Sequence, residues 1–130
     1  MTPKQTIQEF IAAFVAAWPE RDAARVASFF SDDAVYHNIP MEPVQGLQAI
    51  EAAVASFMTM GGQARVDVGH IVADGAIVMV ERVDYFVADQ RTIVLPVVGV
   101  FEVHNGKIPA WRDYFDSAGL AAVREDRKDN

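Results

Sequence analysis

Two carboxylates and one arginine could do chemistry together because each lies among apolar residues in a strand-like segment. Side chains alternate across a strand, so Arg82 and Asp84 share one face with valine and phenylalanine neighbours. Asp113 lies on one face of a later segment between two aromatic residues, Trp111 and Phe115. Paired acids in an apolar pocket are typical of general acid and base catalysis, and we expect that chemistry here.

The alternation alone does not say which face of the first segment points inward. The opposite face carries Glu81 as a competing charge, whereas Val80 lies on the same face as Arg82 and Asp84. We favour the Arg82 and Asp84 face as the inner one because it offers each charge a partner.

Burial would control the charge state of this group. One arginine and one carboxylate are neutral together, and a second buried anion is costly, so we expect one acid to be ionised and the other protonated. That state supplies both a base and an acid. The alternative is purely structural: Arg82 and Asp84 form a buried ion pair that fixes the core, while Asp113 caps a loop elsewhere.

A short extended segment after the second predicted helix places Tyr36 and Asn38 on one face. Their hydroxyl and amide groups could together hold one water molecule. The alternative is that Tyr36 only packs in the core and that Asn38, just before Ile39 and Pro40, is a turn residue.

The residue types exclude several other kinds of chemistry. The chain has no cysteine, which excludes disulfide scaffolds, thiolate metal sites and cysteine nucleophiles. No two of the three histidines fall at metal-ligand spacing and no acidic loop resembles a calcium site, so we expect no metal. Serine-hydrolase and dinucleotide-binding motifs are missing from the sequence, and we expect no cofactor. His70 alternates with valines, and we expect it in the core or pocket wall.

The charge of the chain argues against polyanionic partners. It has 11 Lys and Arg residues against 18 Asp and Glu residues, a formal net charge of -7, which would repel nucleic acid or an anionic membrane surface. The N-terminal residues do not resemble a secretory signal, and no apolar stretch approaches the length of a membrane span. We therefore expect a cytoplasmic protein that binds neither nucleic acid nor membrane.

Three segments have the periodicity of amphipathic helices. The first begins at Thr2 and stops at Pro19, with apolar residues recurring at helical spacing. A second, short helix is predicted over 22–30, and a third over 46–60 ends at a pair of glycines. We assign the apolar stripes of these helices to the core.

The second half of the chain has the alternating, β-branched texture of strands. Strands are predicted over 64–73, 76–88, 91–103 and 107–116. Pro96 within the third predicts a sheet edge or a bulge there. Helices first and an antiparallel meander afterwards predict an α+β fold, a single domain over residues 1–130, with the helices packed on one face of a curled sheet.

Three motifs in this sequence resemble those of the limonene-1,2-epoxide hydrolases. They are YHNIP at 36–40, ERVD at 81–84 and WRDYFD at 111–116, and they occur in the family order at similar separations. The resemblance runs from the first helix to about Asp116. It implies a cone-shaped, curved antiparallel sheet wrapped around N-terminal helices, as in the NTF2-like or SnoaL-like folds shared with ketosteroid isomerases. His37 and the Met41-Glu42 pair depart from the family pattern, which leaves the pocket shape open.

The resemblance also implies a role for each site residue. Asp113 would be the general base that takes a proton from water, and Tyr36 and Asn38 would position that water. Asp84 would protonate the epoxide oxygen, and Arg82 would bridge the two acids. Water would then open the ring in one step, without a covalent enzyme intermediate.

The remaining pocket lining should be apolar, with Trp111, Phe115 and Val80 as candidates, which suits a hydrophobic cyclic or terpene-like epoxide. Two other functions fit the same fold. A ketosteroid-isomerase-like or polyketide-cyclase-like enzyme would need a pocket oxyanion donor, yet the first helix offers Phe14 and Trp18. A non-enzymatic ligand carrier gives no reason for an arginine between two acids.

The apolar outer face of the sheet predicts a homodimer.

Overall fold

The chain folds into N-terminal helices followed by a sheet, in the order that the sequence predicts. The computed structural model describes residues 1–89, 91–121 and 124–125. The helices are α1 (Pro3–Ala17), α2 (Ala23–Ala27), α3 (Leu47–Met58) and α4 (Ala118–Ala121). The strands are β1 (Phe30–Asn38), β2 (Val44–Gln45), β3 (Gln63–Asp74), β4 (Ile77–Ala88), β5 (Arg91–His104), β6 (Lys107–Tyr114) and β7 (Arg124–Glu125).

Helix α1 begins at the predicted N-terminus and supplies one wall of the core. Thr2 and Gln5 form a capping box, in which each side chain accepts a hydrogen bond from the other residue's backbone N–H. One stripe of the helix is buried, with Ile7 fully enclosed and Phe10 at the centre of an aromatic cluster. The helix packs on β3, β4 and β5, so the core lies between the helices and the inner face of the sheet.

The strands lie in the order β2-β1-β6-β5-β4-β3, and β7 pairs with β5. Strands β3 to β6 form the predicted antiparallel meander. One pairing differs from the prediction, because β1 joins β6 in parallel. Parallel neighbours need a long connection, which the chain between β1 and β6 supplies. This curved sheet around N-terminal helices confirms the predicted fold class.

The predicted second helix is too long. Helix α2 ends at Ala27, and Phe30 already belongs to β1. Phe30 is aligned with Ile108 of β6, and the N–H of Ile108 donates to the carbonyl of Phe29 over 2.9 Å. Pairing with β6 therefore extends β1 into a segment whose local pattern favours a helix.

The prediction that His70 is a core or pocket residue is wrong. A bulge between Val68 and His70 shifts the register of β3 against β4, and a shift of one residue turns the following side chains to the other face. His70 is exposed and its Nδ1 lies 2.7 Å from Glu81 Oε1 on the outer face.

The structure supports the prediction that Pro96 marks a sheet edge. Strand β6 ends at Tyr114, opposite Val98, so Pro96 lies beyond the part of β5 that pairs with β6. It is exposed and aligned with Val83 of β4 on the other side.

Among the described residues, no helix combines the length and apolar character that crossing a membrane requires.

Candidate active site

The central strands of the sheet bring Arg82, Asp84 and Asp113 together. Arg82 and Asp84 lie on β4 and Asp113 on β6, with β5 between them, so the guanidinium must cross a strand to reach Asp113. It crosses at Gly99, which is aligned with Asp113. A Cβ atom at Gly99 would overlap Arg82 Nη1 and would lie 2.8 Å from Asp113 Oδ1. Because glycine has no side chain, this position leaves room for the ionic contact between Arg82 and Asp113.

Arg82 binds both carboxylates at once. Its Nε and Nη2 donate to Asp84 Oδ1 and Oδ2 over 2.9 and 3.2 Å. Its Nη1 and Nη2 donate to Asp113 Oδ1 and Oδ2 over 3.1 and 2.6 Å. All three residues are buried, with 5 to 6% of their surface exposed. The guanidinium therefore joins the two acids into one unit held by charge-assisted hydrogen bonds.

The environment gives Asp84 an unusual preference for its neutral form. Burial raises the pKa of Asp84 above its ordinary value, and the charge and hydrogen bonds of Arg82 oppose this increase without cancelling it. The Asp113 carboxylate adds to the increase. Burial alone would lower the pKa of Arg82, but the charges of Asp113 and Asp84 outweigh burial and raise it. Arg82 therefore stays charged, and Asp84 keeps its proton to higher pH than an ordinary aspartate.

Tyr36 and Asn38 lie beside Asp113 because β1 runs parallel to β6. In the register of these strands, Asn38 is aligned with Asp113 and Tyr36 with Trp111. The Tyr36 hydroxyl donates to Asn38 Oδ1 over 3.3 Å. Burial, helped by the charge of Asp113, raises the pKa of Tyr36, so its hydroxyl stays neutral. Both side chains line the cavity with the three ionic residues.

Trp111 makes a polar contact that its place in an apolar cluster does not suggest. Its Nε1–H donates to Asp113 Oδ1 over 2.6 Å. Its ring stacks on Tyr36, with ring centroids 4.2 Å apart and 15° between the planes, and on Phe101 at 5.5 Å and 18°. The indole thus connects Asp113 with Tyr36.

These polar groups face a cavity whose remaining lining is apolar. Of the nineteen residues that line it, nine are aromatic, and the polar set is confined to Tyr36, Asn38, Arg82, Asp84 and Asp113. The lining includes two of the three residues expected there, Trp111 and Phe115. The third, Val80, differs from the expectation: it is fully buried in the core cluster and does not line the cavity, since helix and sheet residues pack over it.

The cation shared by the two buried carboxylates is the guanidinium of Arg82. Within residues 1–89, 91–121 and 124–125, no three His, Asp or Glu side chains cluster in a way that could hold a metal ion. Arg82 lies between the carboxylates where a shared cation would lie. The arrangement can hold one proton on either acid and present both to the cavity.

Comparison with known proteins relates this geometry to an enzyme family. Residues 3–124 match the model of the limonene-1,2-epoxide hydrolase catalytic domain. The chain belongs to this family. Family membership supports epoxide hydrolase activity at the level of the reaction class.

Individual relatives of the family agree with this assignment. The chain is 34% identical over 106 residues to epoxide hydrolase EphG of Mycobacterium tuberculosis (strain ATCC 25618 / H37Rv). This alignment covers 82% of this chain and 70% of that protein. A solved structure of an M. tuberculosis LEH-like epoxide hydrolase matches with a TM-score of 0.69 and 32% identity, covering 87% of this chain and 84% of that one.

A further solved structure shows the fold alone. A protein with a ketosteroid isomerase-like fold from Catenulispora acidiphila, solved in complex with trimethylamine, matches with a TM-score of 0.75 and 19% identity. The match covers 94% of this chain and 92% of that one. The fold is therefore shared well beyond the limonene-1,2-epoxide hydrolase family, and function has to be argued from the site.

Sequence reasoning missed two features of this family member's site. Gly99 carried a usable signal, because glycine inside a strand often marks a close approach of other groups. Trp111 was assigned to the pocket wall, and its bond to Asp113 was not foreseen. Alternation places the two residues on one face but does not give the direction of the indole N–H.

Proposed function

We propose that this protein hydrolyses hydrophobic epoxides to vicinal diols in one general acid and base step. The observation that carries the proposal is the buried group of Asp84, Arg82 and Asp113, which presents two acids to one apolar cavity. The family assignment supports the same reaction class. Two acids joined by an arginine fit a reaction that needs a proton removed at one point and added at another.

In the proposed reaction, Asp113 is ionised and Asp84 is protonated. A water molecule held by Tyr36, Asn38 and Asp113 gives a proton to Asp113 while its oxygen attacks a ring carbon. The carbon–oxygen bond of the epoxide breaks, and Asp84 gives its proton to the departing oxygen. The raised pKa of Asp84 supports its role as the acid, because the protonated form persists to higher pH than in an ordinary aspartate.

The enzyme must return one proton to complete the cycle. After ring opening Asp113 carries the proton and Asp84 is ionised, so the buried group has the same total charge as before. Arg82 contacts both carboxylates and so joins the two sites between which the proton must move. A proton moving from Asp113 to Asp84, directly or through water, restores the starting form. The proposed cycle uses only water and these side chains, and no covalent bond to the enzyme forms.

The cavity supports a hydrophobic, ring-bearing substrate. Aromatic and aliphatic side chains form most of the lining, and the polar groups are gathered at one place. An epoxide joined to a cyclic or terpene-like skeleton would put its ring oxygen near the acids and its hydrocarbon against the aromatic walls. Charged or strongly polar epoxides would have to lose hydration without gaining a partner.

The first test is diol formation from limonene oxide and cyclohexene oxide, followed by chromatography in the presence of EDTA. We expect wild type to form diol and Asp113→Asn to lose about 10²-fold or more, because the base is missing. Asp33→Asn, a charge-matched change at an exposed residue, should retain wild-type turnover. Full activity of Asp113→Asn, or no diol from wild type with either epoxide, would count against the proposal.

A labelling experiment tests the single step. With enzyme in excess over epoxide in H₂¹⁸O, direct attack by water places ¹⁸O in the diol during the first turnover. Attack by the Asp113 carboxylate would instead give unlabelled diol in the first turnover and leave ¹⁸O in the protein. Mass spectrometry of both products separates the two routes.

A further inference from the structure

Trp111 contacts the ionic group as well as the apolar wall. Its Nε1–H lies 2.6 Å from Asp113 Oδ1, and both residues are buried, with 4 and 5% of their surface exposed. The two residues lie two positions apart in β6 and therefore share one face of the strand. A short N–H to carboxylate contact in a buried site is a charge-assisted hydrogen bond, stronger than one between neutral groups. The contact therefore bears directly on the chemistry of Asp113.

Counting donors identifies the free position on the Asp113 carboxylate. Oδ1 accepts from Trp111 Nε1 and from Arg82 Nη1, and Oδ2 accepts from Arg82 Nη2. Each carboxylate oxygen offers about two lone-pair positions. Both positions of Oδ1 are therefore used by these donors, and one position of Oδ2 is left for a water molecule.

We infer that Trp111 is a positioning residue: its indole N–H fixes the Asp113 carboxylate so that Oδ2 takes the proton from the attacking water. The inference rests on the proposed epoxide hydrolysis. It gives Trp111 a polar function in addition to its place in the cavity wall. In the proton transfer itself Trp111 acts through Asp113, and it forms no covalent bond to the substrate.

The indole can serve as a fixed donor because its plane is held on both sides. Trp111 lies on β6 between β1 and β5, where it is aligned with Tyr36 on one side and Phe101 on the other. Both rings stack on it at angles of 15° and 18°, and Phe10 contacts it edge-on at 5.1 Å. Rotation of the indole would break these contacts, so the N–H direction is set by packing.

The other groups around Asp113 limit what a change at Trp111 can do. The titratable groups that face Asp113 are Arg82 and Asp84 from β4 and Tyr36 from β1. Strand β5 contributes Gly99 at this point. Removing the indole N–H leaves all of these in place. The carboxylate then loses one donor, becomes a stronger base and gains freedom to rotate.

A spectroscopic test needs no enzymatic activity. The chain has two tryptophans, and the other, Trp18, donates to the carbonyl of Gly61 over 3.1 Å, so it serves as an internal reference. Trp111→Phe assigns the two indole resonances in a ¹H–¹⁵N spectrum. We expect the Trp111 resonance, and not that of Trp18, to move in Asp113→Asn and to follow pH in wild type. A Trp111 resonance unaffected by both changes would overturn the hydrogen bond.

A kinetic test measures the consequence for catalysis. In Trp111→Phe, which keeps an aromatic ring, we expect kcat to fall about 10- to 100-fold, as for other partners that orient a reacting group, with little change in KM. The acidic limb of the pH–rate profile should move to higher pH. Trp18→Phe is the matched control, because it makes the same change at an indole that donates to the carbonyl of Gly61 and not to Asp113. It should not move this limb.

The outcomes separate the inference from the function on which it rests. A pH profile of Trp111→Phe equal to that of wild type, with kcat lowered no more than in Trp18→Phe, would reduce Trp111 to a packing residue. A wild type without epoxide hydrolysis would overturn the proposed function and with it the role in catalysis. The indole resonances would still decide whether the bond to Asp113 exists.

Discussion

Arg82 carries one positive charge and faces two acids in a buried place, so the group as a whole favours a single shared proton. With both acids ionised, one buried negative charge would lack a counter-ion. With one proton, the group is neutral. Burial raises the pKa of Asp84, which favours Asp84 as the residue that keeps the proton. The two acids titrate as a coupled unit, because each contacts the same guanidinium.

The raised pKa of Asp84 predicts how stability changes with pH. An acid whose pKa is raised on folding stabilises the folded protein while protonated, and this contribution is lost as pH rises through the raised pKa. Asp84→Asn mimics the protonated acid and cannot ionise. We therefore expect its free energy of unfolding to improve relative to wild type as pH rises above about 4, the ordinary range of aspartate.

Urea denaturation between pH 4 and 8 measures this difference. Each unit by which the two pKa values differ corresponds to about 1.4 kcal/mol. Asp33→Asn is the control, and its difference from wild type should show no such rise. If Asp84→Asn instead loses stability relative to wild type as pH rises, Asp84 is stabilised in its ionised form and the proposed acid is wrong.

Turnover of Asp84→Asn should be nearly abolished at every pH.

At the scale of the elements, strand order decides which residues can meet. Strand β5 separates β4 from β6, a distance of about 10 Å at ordinary strand spacing. Arg82 is long enough to cross this gap, and Gly99 leaves its path open. Strand β1 adds Tyr36 and Asn38 from the other side of β6. Four strands therefore build the site, and rigid sheet pairing fixes their spacing.

Gly99→Ala should damage the site through β5. The new methyl group would overlap Arg82 Nη1, which must move away from Asp113. We expect a loss of about 1–3 kcal/mol in the free energy of unfolding, as for other overpacked positions, and a fall in kcat/KM. Urea denaturation and diol assays measure the two effects.

Gly69→Ala is the matched control for that change. Gly69 also lies in a strand, but a Cβ there would meet the end of the exposed Glu81 side chain at 3.1 Å, and that side chain can move. It should keep wild-type activity. Gly99→Ala with unchanged kcat/KM would show that the guanidinium does not need this space.

At the scale of the whole molecule, the outer face of the sheet carries an exposed apolar patch. Val98 and Tyr114, which are aligned with each other, are 42 and 46% exposed and border one depression with Pro96. Contiguous apolar surface on a sheet face usually marks an interface, and a two-fold axis lets one patch cover itself. We propose that two copies of the chain associate through this face.

Val98→Lys tests the proposed homodimer. A charge at the centre of the patch would be desolvated against a like charge from the second copy, so we expect dissociation. Light scattering measures the mass of wild type, of Val98→Lys and of Ala55→Lys, a control on an exposed position of α3. Wild type and control should be dimers and Val98→Lys a monomer. A monomeric wild type would contradict the proposal.

The sequence alone determined which side chains share a face. Strand alternation places Arg82 with Asp84, and Trp111 with Asp113, because neighbouring residues of an extended chain point to opposite sides. Helical periodicity likewise marked α1 and its buried stripe. These features depend on residues close together in the chain, so they could be predicted without the fold.

Only the tertiary structure decided how these faces meet. Arg82 reaches Asp113 across thirty-one positions of sequence, through a gap at Gly99 that depends on the register of three strands. The parallel pairing of β1 with β6, the bulge that turns His70 outward and the direction of the Trp111 N–H likewise arise from contacts between distant segments. Local preferences do not specify such contacts, because register and side-chain direction are set by packing against residues that are remote in the chain.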